Sequence, residues 1–396
     1  MLHKSRILSS FLFAHAFCLT LIITSASAGV RDESHTLAFE PHSTSLTEFI
    51  YLSSPALQPP VTVSVDCAKG ESINKALAKS AQEQSLTVEI EGLCHENVVV
   101  TRDRVTLRGD DPATDGIAAV AHTESIDAAV WVRGAHLVTL ENLKLTGGFS
   151  GLLATDANLP HLRVINCRLE GNMAYGMQLE TSLVEVDNSV FGPNGNINAA
   201  VFGSSRFQCS NCTLADPQGS GPLGALRLNV IMFASSRILF DNCALTNGGI
   251  QSDDSLVLIT DSSIEQFVPN GGSINATSAS TVVLTRVQVK GVMRFSQGTN
   301  TQLLGVTQTV VAGGPPNSVD DNAFVRVADA SPAAGGPPSI PSVVLGFQLR
   351  NFSNFSLLQT SQISGNLNCS MGANAFCSTP ATGVSGISNC GLCPKP

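Results

Sequence analysis

Between about Leu140 and Lys290 one apolar–polar pattern keeps returning. It reads apolar, any residue, asparagine, small, any residue, apolar, and a turn-forming residue usually follows. Copies centre on Asn142, Asn166, Asn188, Asn211, Asn242 and Asp261, with a weaker one at Arg286. Successive offsets of 24, 22, 23, 31, 19 and 25 residues give a period of about 22, with one insertion near Asp216–Gly224. A fixed period of this size marks a chain built of stacked repeats.

Inside each repeat the alternation has period two. Gly176–Glu180 and Ala225–Asn229 alternate apolar with polar residues, as in a strand with one buried face. Glycine and asparagine punctuate these segments where the chain must turn through left-handed backbone conformations. Two or three strands in about 22 residues leave no room for a helix, so successive coils must bury one another's apolar faces, with parallel strands about 4.8 Å apart. The predicted fold is all-β: a parallel β-helix. The repeated asparagines are expected to form a structural ladder within one turn, each side chain bonded to its neighbours in the stack.

Upstream, Val61–Val65, Leu86–Ile90, Val98–Val100 and Val105–Leu107 predict strands. Between the first two, Ser72 to about Glu83 predicts a helix, with Ile73, Ala76, Leu77 and Ala81 on one face and Ser72 as its cap. Such a helix would cover the open end of the solenoid. Residues 1–28 read as a secretory signal: Lys4 and Arg6, an apolar Ile7–Ile23 stretch, then Ala26-Ser27-Ala28 before the cleavage point. Residues 29–60 form a polar lead-in, and the solenoid is expected over 61–365. Two Gly-Gly-Pro-Pro runs predict a loop insertion over 312–342, and 366–396 reads as a cysteine-rich tail.

Only 13% of the residues are charged, and the net charge is −9, or −11 once Lys4 and Arg6 leave with the signal. That balance argues against nucleic acid and anionic membranes as partners. No membrane insertion after cleavage and a monomeric state are expected, in a secreted, periplasmic or cell-surface location. Of eleven cysteines, ten remain after Cys18 is removed, which suggests disulfides. Cys67 with Cys94, Cys369 with Cys377, and Cys390 with Cys393 are the expected pairs. Cys167, Cys212 and Cys243 each follow a ladder position and are expected as small buried residues. A zinc site from Cys209, Cys212, Cys390 and Cys393 is set aside, because export is oxidising and no histidine is near.

The run Val63–Asp111 (VSVDCAKGESINKALAKS…LTVEIEGLCHENVVVTRDRVTLRGDD), with the repeats behind it, resembles the N-terminal cap and coils of pectin-lyase-like right-handed β-helix proteins. The resemblance spans about Val61 to Val311. It implies a right-handed superhelix, and polysaccharide binding, lysis, hydrolysis or epimerisation outside the cell. It does not fix a reaction, because the fold also carries adhesins and catalytically silent members.

Aligned by repeat, one outward strand face would carry Trp131, Leu153, Gln178, Phe202, Arg227, Gln251, Asn275 and Arg294. Two residues further along come Arg133, Thr155, Glu180, Ser204, Asn229, Asp253, Thr277 and Ser296. Trp131, Gln178, Asn229, Gln251 and Asn275 are candidate substrate-binding residues, offering donors and acceptors along a rigid surface. In a lyase of the resembled kind, Arg227 or Arg294 would be the base, while Glu180 and Asp253 would hold calcium against the substrate carboxylate. Asp253-Asp254 resembles the paired aspartates of polygalacturonases, but their Asn-Thr-Asp and His-Gly companions are absent. A second candidate set is Asp156, His161 and Arg163, with Arg133 one coil earlier. The expected function is binding of polysaccharide on this face and, if the protein is an enzyme, lyase or glycoside-hydrolase chemistry. The alternative is a non-enzymatic adhesion or structural solenoid, which one Trp and two Tyr favour because sugar subsites stack on aromatic rings.

Overall fold

The computed structural model describes residues 59–390, apart from 81–83, 122, 158–161, 224–225, 267–271, 310–315, 332–338, 359, 371, 378–382 and 386–388. The signal segment and nearly all of the lead-in therefore lie outside the described residues.

Each regular coil contains three strands. Tyr175–Glu180, Leu183–Asp187 and Val190–Phe191 make up one such coil. Every strand pairs in parallel with its counterparts in the neighbouring coils, for example Tyr175–Glu180 with Ser150–Thr155 on one side and Ile197–Phe202 on the other. The second strands of the coils form one 14-stranded sheet. The first and third strands form two further ladders, which merge at Val343–Leu349, a strand that pairs with both Thr307–Thr309 and Asn317–Val319. The 19-to-31-residue spacing of the repeats is absorbed mostly in the connections, and pairing within strands stays in register except for shifts after Leu228, Gly272 and Leu345.

In-register stacking places like against like in the interior. Leu162, Val184, Phe207, Ile238, Val257 and Val282 follow one another down the second sheet, all buried. The rings of Phe191, Phe207 and Phe240 meet edge-on at 6.1 and 5.4 Å. Full burial of each such side chain contributes roughly 1.5–3 kcal/mol.

At the N-terminal end the helix α1 runs over Ile73–Lys79, shorter than expected, and buries Ile73, Ala76 and Leu77. The Ser72 hydroxyl caps it by accepting from the Lys75 N–H. The Glu96 carboxylate also accepts from the Ile73 N–H at 2.6 Å and from the Asn74 side chain at 2.8 Å. The Cys67–Cys94 disulfide joins this cap to the first coils as expected. At the other end the pairing differs from expectation. Cys369 bonds Cys390, not Cys377, and this bond also removes Cys390 from any four-cysteine metal site. Sequence spacing favoured the near partner, but strand pairing brings Gln362–Cys369 beside Gly383–Val384 and so carries the chain back toward Cys369. Two strands, Asn317–Val319 and Phe324–Ala328, lie within the expected loop insertion. The expected boundary at 365/366 falls inside the strand Gln362–Cys369. The Gly-Gly-Pro-Pro runs lie almost wholly outside the described residues, and between them the stack continues, because Val325 and Val327 still alternate inward.

All seven repeat-centre residues adopt left-handed backbone, with φ from 49° to 57°. Asparagine tolerates this conformation better than other non-glycine residues, so its recurrence has a conformational cause. Each N–H bonds a carbonyl one coil on, as Asn166 does to Asp187 and Asn188 to Ser210. The side chains face outward, and they do not form one continuous ladder. Asn166 donates to Asn142 (2.8 Å) and Asn242 to Asn211 (2.7 Å), but the Asn188 amide turns to Asp187, and Asp261 pairs instead with Arg286.

A second, interior ladder has no counterpart in the sequence reading. Asn172 donates to Asn194 (3.0 Å), Asn194 to Asn198 (2.9 Å) and Asn198 to Asn229 (2.8 Å); Asn229 ends the chain on the carbonyls of Thr246 and Gly248. All four are buried. A buried amide left without a partner costs about 1–3 kcal/mol. Asn198→Ala, which orphans groups on both neighbours, is therefore expected to lower urea-unfolding stability by about 2–4 kcal/mol. Asn188→Ala should cost only about 1–2 kcal/mol, the penalty for alanine in left-handed backbone. Equal losses would place both ladders in the same environment.

Arg286 and Asp261 share two hydrogen bonds of 2.6 Å. The guanidinium holds the Asp261 carboxyl below its ordinary value, outweighing the opposing effect of burial. A lowered carboxyl stabilises the fold above its unfolded-state value and loses that contribution as pH falls through the folded-state value. The pair is partly solvent-exposed, so Asp261→Asn should cost about 1 kcal/mol or less at neutral pH. Denaturant curves of wild type and variant are expected to converge on acidification below pH ~4. The Cys67–Cys94 bond closes a 27-residue separation. Double substitution to serine is expected to cost about 3–4 kcal/mol by the chain-entropy relation, read from the same curves at pH 7.

Candidate functional site

The side chains of the first strands that point away from the main core form one face, buried in its middle at Leu153, Gln178, Ala200 and Ile231 and half-buried toward its ends. Its register runs Trp131, Leu153, Gln178, Ala200, Ile231, Gln251, Asn275, Arg294 and Ser318. The adjacent column runs Arg133, Thr155, Glu180 and Phe202, then resumes with Asp253 and Thr277. Phe233 bridges the gap. It follows Met232, which pairs with Val201 and Ser252, and its ring lies 5.9 Å from that of Phe202 at an interplanar angle of 5°. From Arg133 to Asp253 this column crosses six coils, a rise of roughly 24 Å.

Three zones follow along it. At the N-terminal side the Trp131 indole donates to the Thr155 hydroxyl (3.0 Å), and the Arg133 guanidinium sits 5.3 Å from the indole centroid. In the middle, Phe202 and Phe233 cap a small apolar cluster separate from the main core. It contains Ile197, Ala200 and Ile231, flanked by Tyr175, Leu226 and Leu228. Phe149 meets Tyr175 edge-on at 5.7 Å. Burial, and then the Glu180 charge, push the Tyr175 phenol up, which keeps it a neutral hydroxyl. On the far side lie half-buried Gln251, Asp253, Asn275, Thr277 and Arg294.

The structure places several expected site residues differently. Arg227 is exposed before the strand Leu228–Met232, outside the column; Ile231 occupies the position assigned to it. Counting by repeat failed here because the insertion ahead of this coil displaces its strand by four residues. The same displacement affects Asn229, which is fully buried in the interior ladder and is not a surface group. Phe202 belongs to the Glu180 column, not to that of Gln178. Gln178 is nearly buried; its amide donates to Glu180 at 2.8 Å and its oxygen accepts from the Ser150 hydroxyl. Trp131, Gln251, Asn275 and Arg294 do lie on one face as expected.

Glu180, Asp253, Arg227 and Arg294 do not converge on one centre. Glu180 and Asp253 stand three strands apart, roughly 14 Å. A hydrolase pair needs about 5–10 Å, and one calcium ion needs its oxygens at 2.3–2.6 Å. Among the described residues, the side chains close enough to share a metal ion are sulfurs, those of Cys209, Cys212 and Cys243. Of the second candidate set, Asp156 follows the first strand Ser150–Thr155 in left-handed backbone and Arg163 lies on the second sheet, while His161 falls outside the described residues. What sequence reasoning missed is the ring pair Phe202–Phe233. Its only signal was two phenylalanines 31 residues apart, the length of the longest repeat.

A concave surface of about 580 Å³ lies along the asparagine turns, away from this face, lined by Asn211, Asn242, Asp261, Arg286 and Gln288, with Cys212 and Cys243 also on its wall.

Residues 150–324 match the family described as right handed beta helix region. No curated protein matches the chain in sequence. Among solved structures, the catalytic unit of a thermostable GH87 α-1,3-glucanase from Streptomyces thermodiastaticus is similar at 13% identity and TM-score 0.42, over 82% of this chain and 68% of that one. Pectate lyase Pel9A is similar at 10% identity and TM-score 0.40, over 82% of both chains. Full-length tailspike protein 2 from Escherichia coli O157:H7 bacteriophage CAB120 gives 10% and 0.37, over 71% of this chain and 38% of that one. The strand ladders wound through successive coils show a parallel β-helix, and the match across their centre is to the right handed beta helix region.

Proposed function

We propose that this protein binds a polysaccharide chain along the outward face of its first strands. The observation that carries the reading is the Phe202–Phe233 pair, two parallel, partly exposed rings between Glu180 and Asp253. Aromatic faces receive the apolar C–H faces of pyranose rings, and flanking carboxylates and amides accept and donate to hydroxyl groups. The spacing from Trp131 through Phe233 to Asn275 is set by the stack, so the binding groups need no ordering when a rigid polymer docks. The net charge of −9 disfavours a polyanion, which makes a neutral, hydroxyl-rich polymer the favoured ligand. The separation of Glu180 from Asp253 favours binding over hydrolysis between those two carboxylates. Disulfides such as Cys67–Cys94 support an exported location for this role.

The test is retention of the purified chain on immobilised neutral glucans and galactans, with pectate and alginate as charged controls. Phe202→Ala with Phe233→Ala is expected to weaken binding tenfold or more, while Arg227→Ala leaves it unchanged. Unaltered circular dichroism would confirm that the variants fold. Retention on no polymer, or equal affinity of the double variant, overturns the reading.

A further inference from the structure

The interior at the coil 209–243 holds a group of sulfurs that glycan binding does not use. Cys209 and Cys212 form a disulfide across a turn of the same coil. The Cys243 thiol is free and buried, and the three sulfurs lie within 4.8 Å of one another. Cys212 and Cys243 immediately precede Thr213 and Ala244, which are register partners on adjacent third strands. Residues so stacked have Cα atoms about 4.8 Å apart, inside the 4.4–6.8 Å range that a disulfide spans.

From this geometry we infer that Cys209, Cys212 and Cys243 form an internal disulfide-exchange centre that moves one bond from within a coil to between two coils. The Cys243 thiolate attacks the Cys212 sulfur, the Cys212–Cys243 bond forms and the Cys209–Cys212 bond breaks. Cys209 leaves as a thiolate and takes up the proton that Cys243 released. One disulfide and one thiol remain, so no external oxidant or reductant is consumed.

The two arrangements constrain different things. The bond between Cys209 and Cys212 spans a separation of only 3 residues, within one turn, and ties no coil to another. The exchanged bond would span 31 residues and fasten both ends of the longest repeat. That repeat contains Leu226, Leu228, Ile231 and Phe233, the outer side of the apolar cluster on the candidate binding face. Cys167 stays outside the exchange. Its N–H bonds the Ser189 hydroxyl, and the Ser189 coil separates it from Cys212.

The resting arrangement has a physical basis. The Cys243 S–H donates to the carbonyls of Cys209 and Asp241, both at 3.3 Å. Burial, with the nearby Asp241 charge, pushes this thiol up to about 11. Asp261 and Arg286, which line the concavity beside Cys243, neutralise one another. The thiolate is therefore scarce at neutral pH, and its fraction should grow tenfold per pH unit below that value.

The oxidised full chain would be held at pH 6 and at pH 9, then quenched with acid and N-ethylmaleimide and mapped by peptide mass spectrometry. The expected result is a Cys212–Cys243 linkage with alkylated Cys209, formed about a thousandfold faster at pH 9 than at pH 6. Cys67–Cys94 and Cys369–Cys390 should remain intact. Recovery of Cys209–Cys212 with alkylated Cys243 alone, at both pH values, overturns the proposal, and so does any linkage to Cys167, which would mark exchange through general unfolding. As an independent check, Cys209→Ser is expected to form Cys212–Cys243 on air oxidation. If both thiols of that variant stay alkylatable, the proposal also fails.

Discussion

The structure depends on one constraint: each residue of a coil lies about 4.8 Å from its counterpart in the next, in register and in the same orientation. An apolar interior position therefore faces another apolar position, and the stack sums into a continuous core. An interior polar position has no such freedom. Its hydrogen bonds must be met by the coil above or below, because no water can reach them. The Asn172–Asn194–Asn198–Asn229 chain satisfies this requirement amide by amide and ends on the Thr246 and Gly248 carbonyls.

That interior chain also accounts for glycines in the neighbouring strands. A Cβ on Gly151 would come within 2.7 Å of the Asn172 amide, and one on Gly176 within 2.7 Å of the Asn194 amide. A Cβ on Gly248 would come within 2.8 Å of the Asn229 backbone and 3.1 Å of its side chain. These glycines are needed for space beside the buried amides, and none of the three has the positive φ that explains glycine in turns. The polar ladder and the small residues are one device, and either without the other would leave a clash or an unsatisfied group.

The same stacking that orders the core also composes the surface. Outward positions form columns whether or not they are functional, so a binding face arises where a column happens to carry rings and hydrogen-bonding groups together. Phe202 and Phe233 meet because their strands are neighbours, although 31 residues of chain separate them. The cysteine column is governed by the same geometry: Cys212 and Cys243 occupy stacked positions after Asn211 and Asn242, in turns that fix their approach.

The sequence by itself determined the solenoid, a coil of two or three strands and the place of the sharp turn; the structure made the number three. Period-two alternation and asparagine in left-handed backbone are local properties, legible without knowing what packs against them. The cap helix and the Cys67–Cys94 bond were legible for the same reason, through Ser72, the Ile73–Leu77 face and two cysteines flanking one short unit. The tertiary structure alone decided which residues share a column. An insertion ahead of Leu228 shifts one coil by four residues, and that shift exchanged a supposed surface Arg227–Asn229 pair for Ile231 and Phe233 outside and a buried Asn229 inside. Register is a property of hydrogen bonds between coils, and a connection of changed length leaves no mark in the alternation by which the lost register could be recovered.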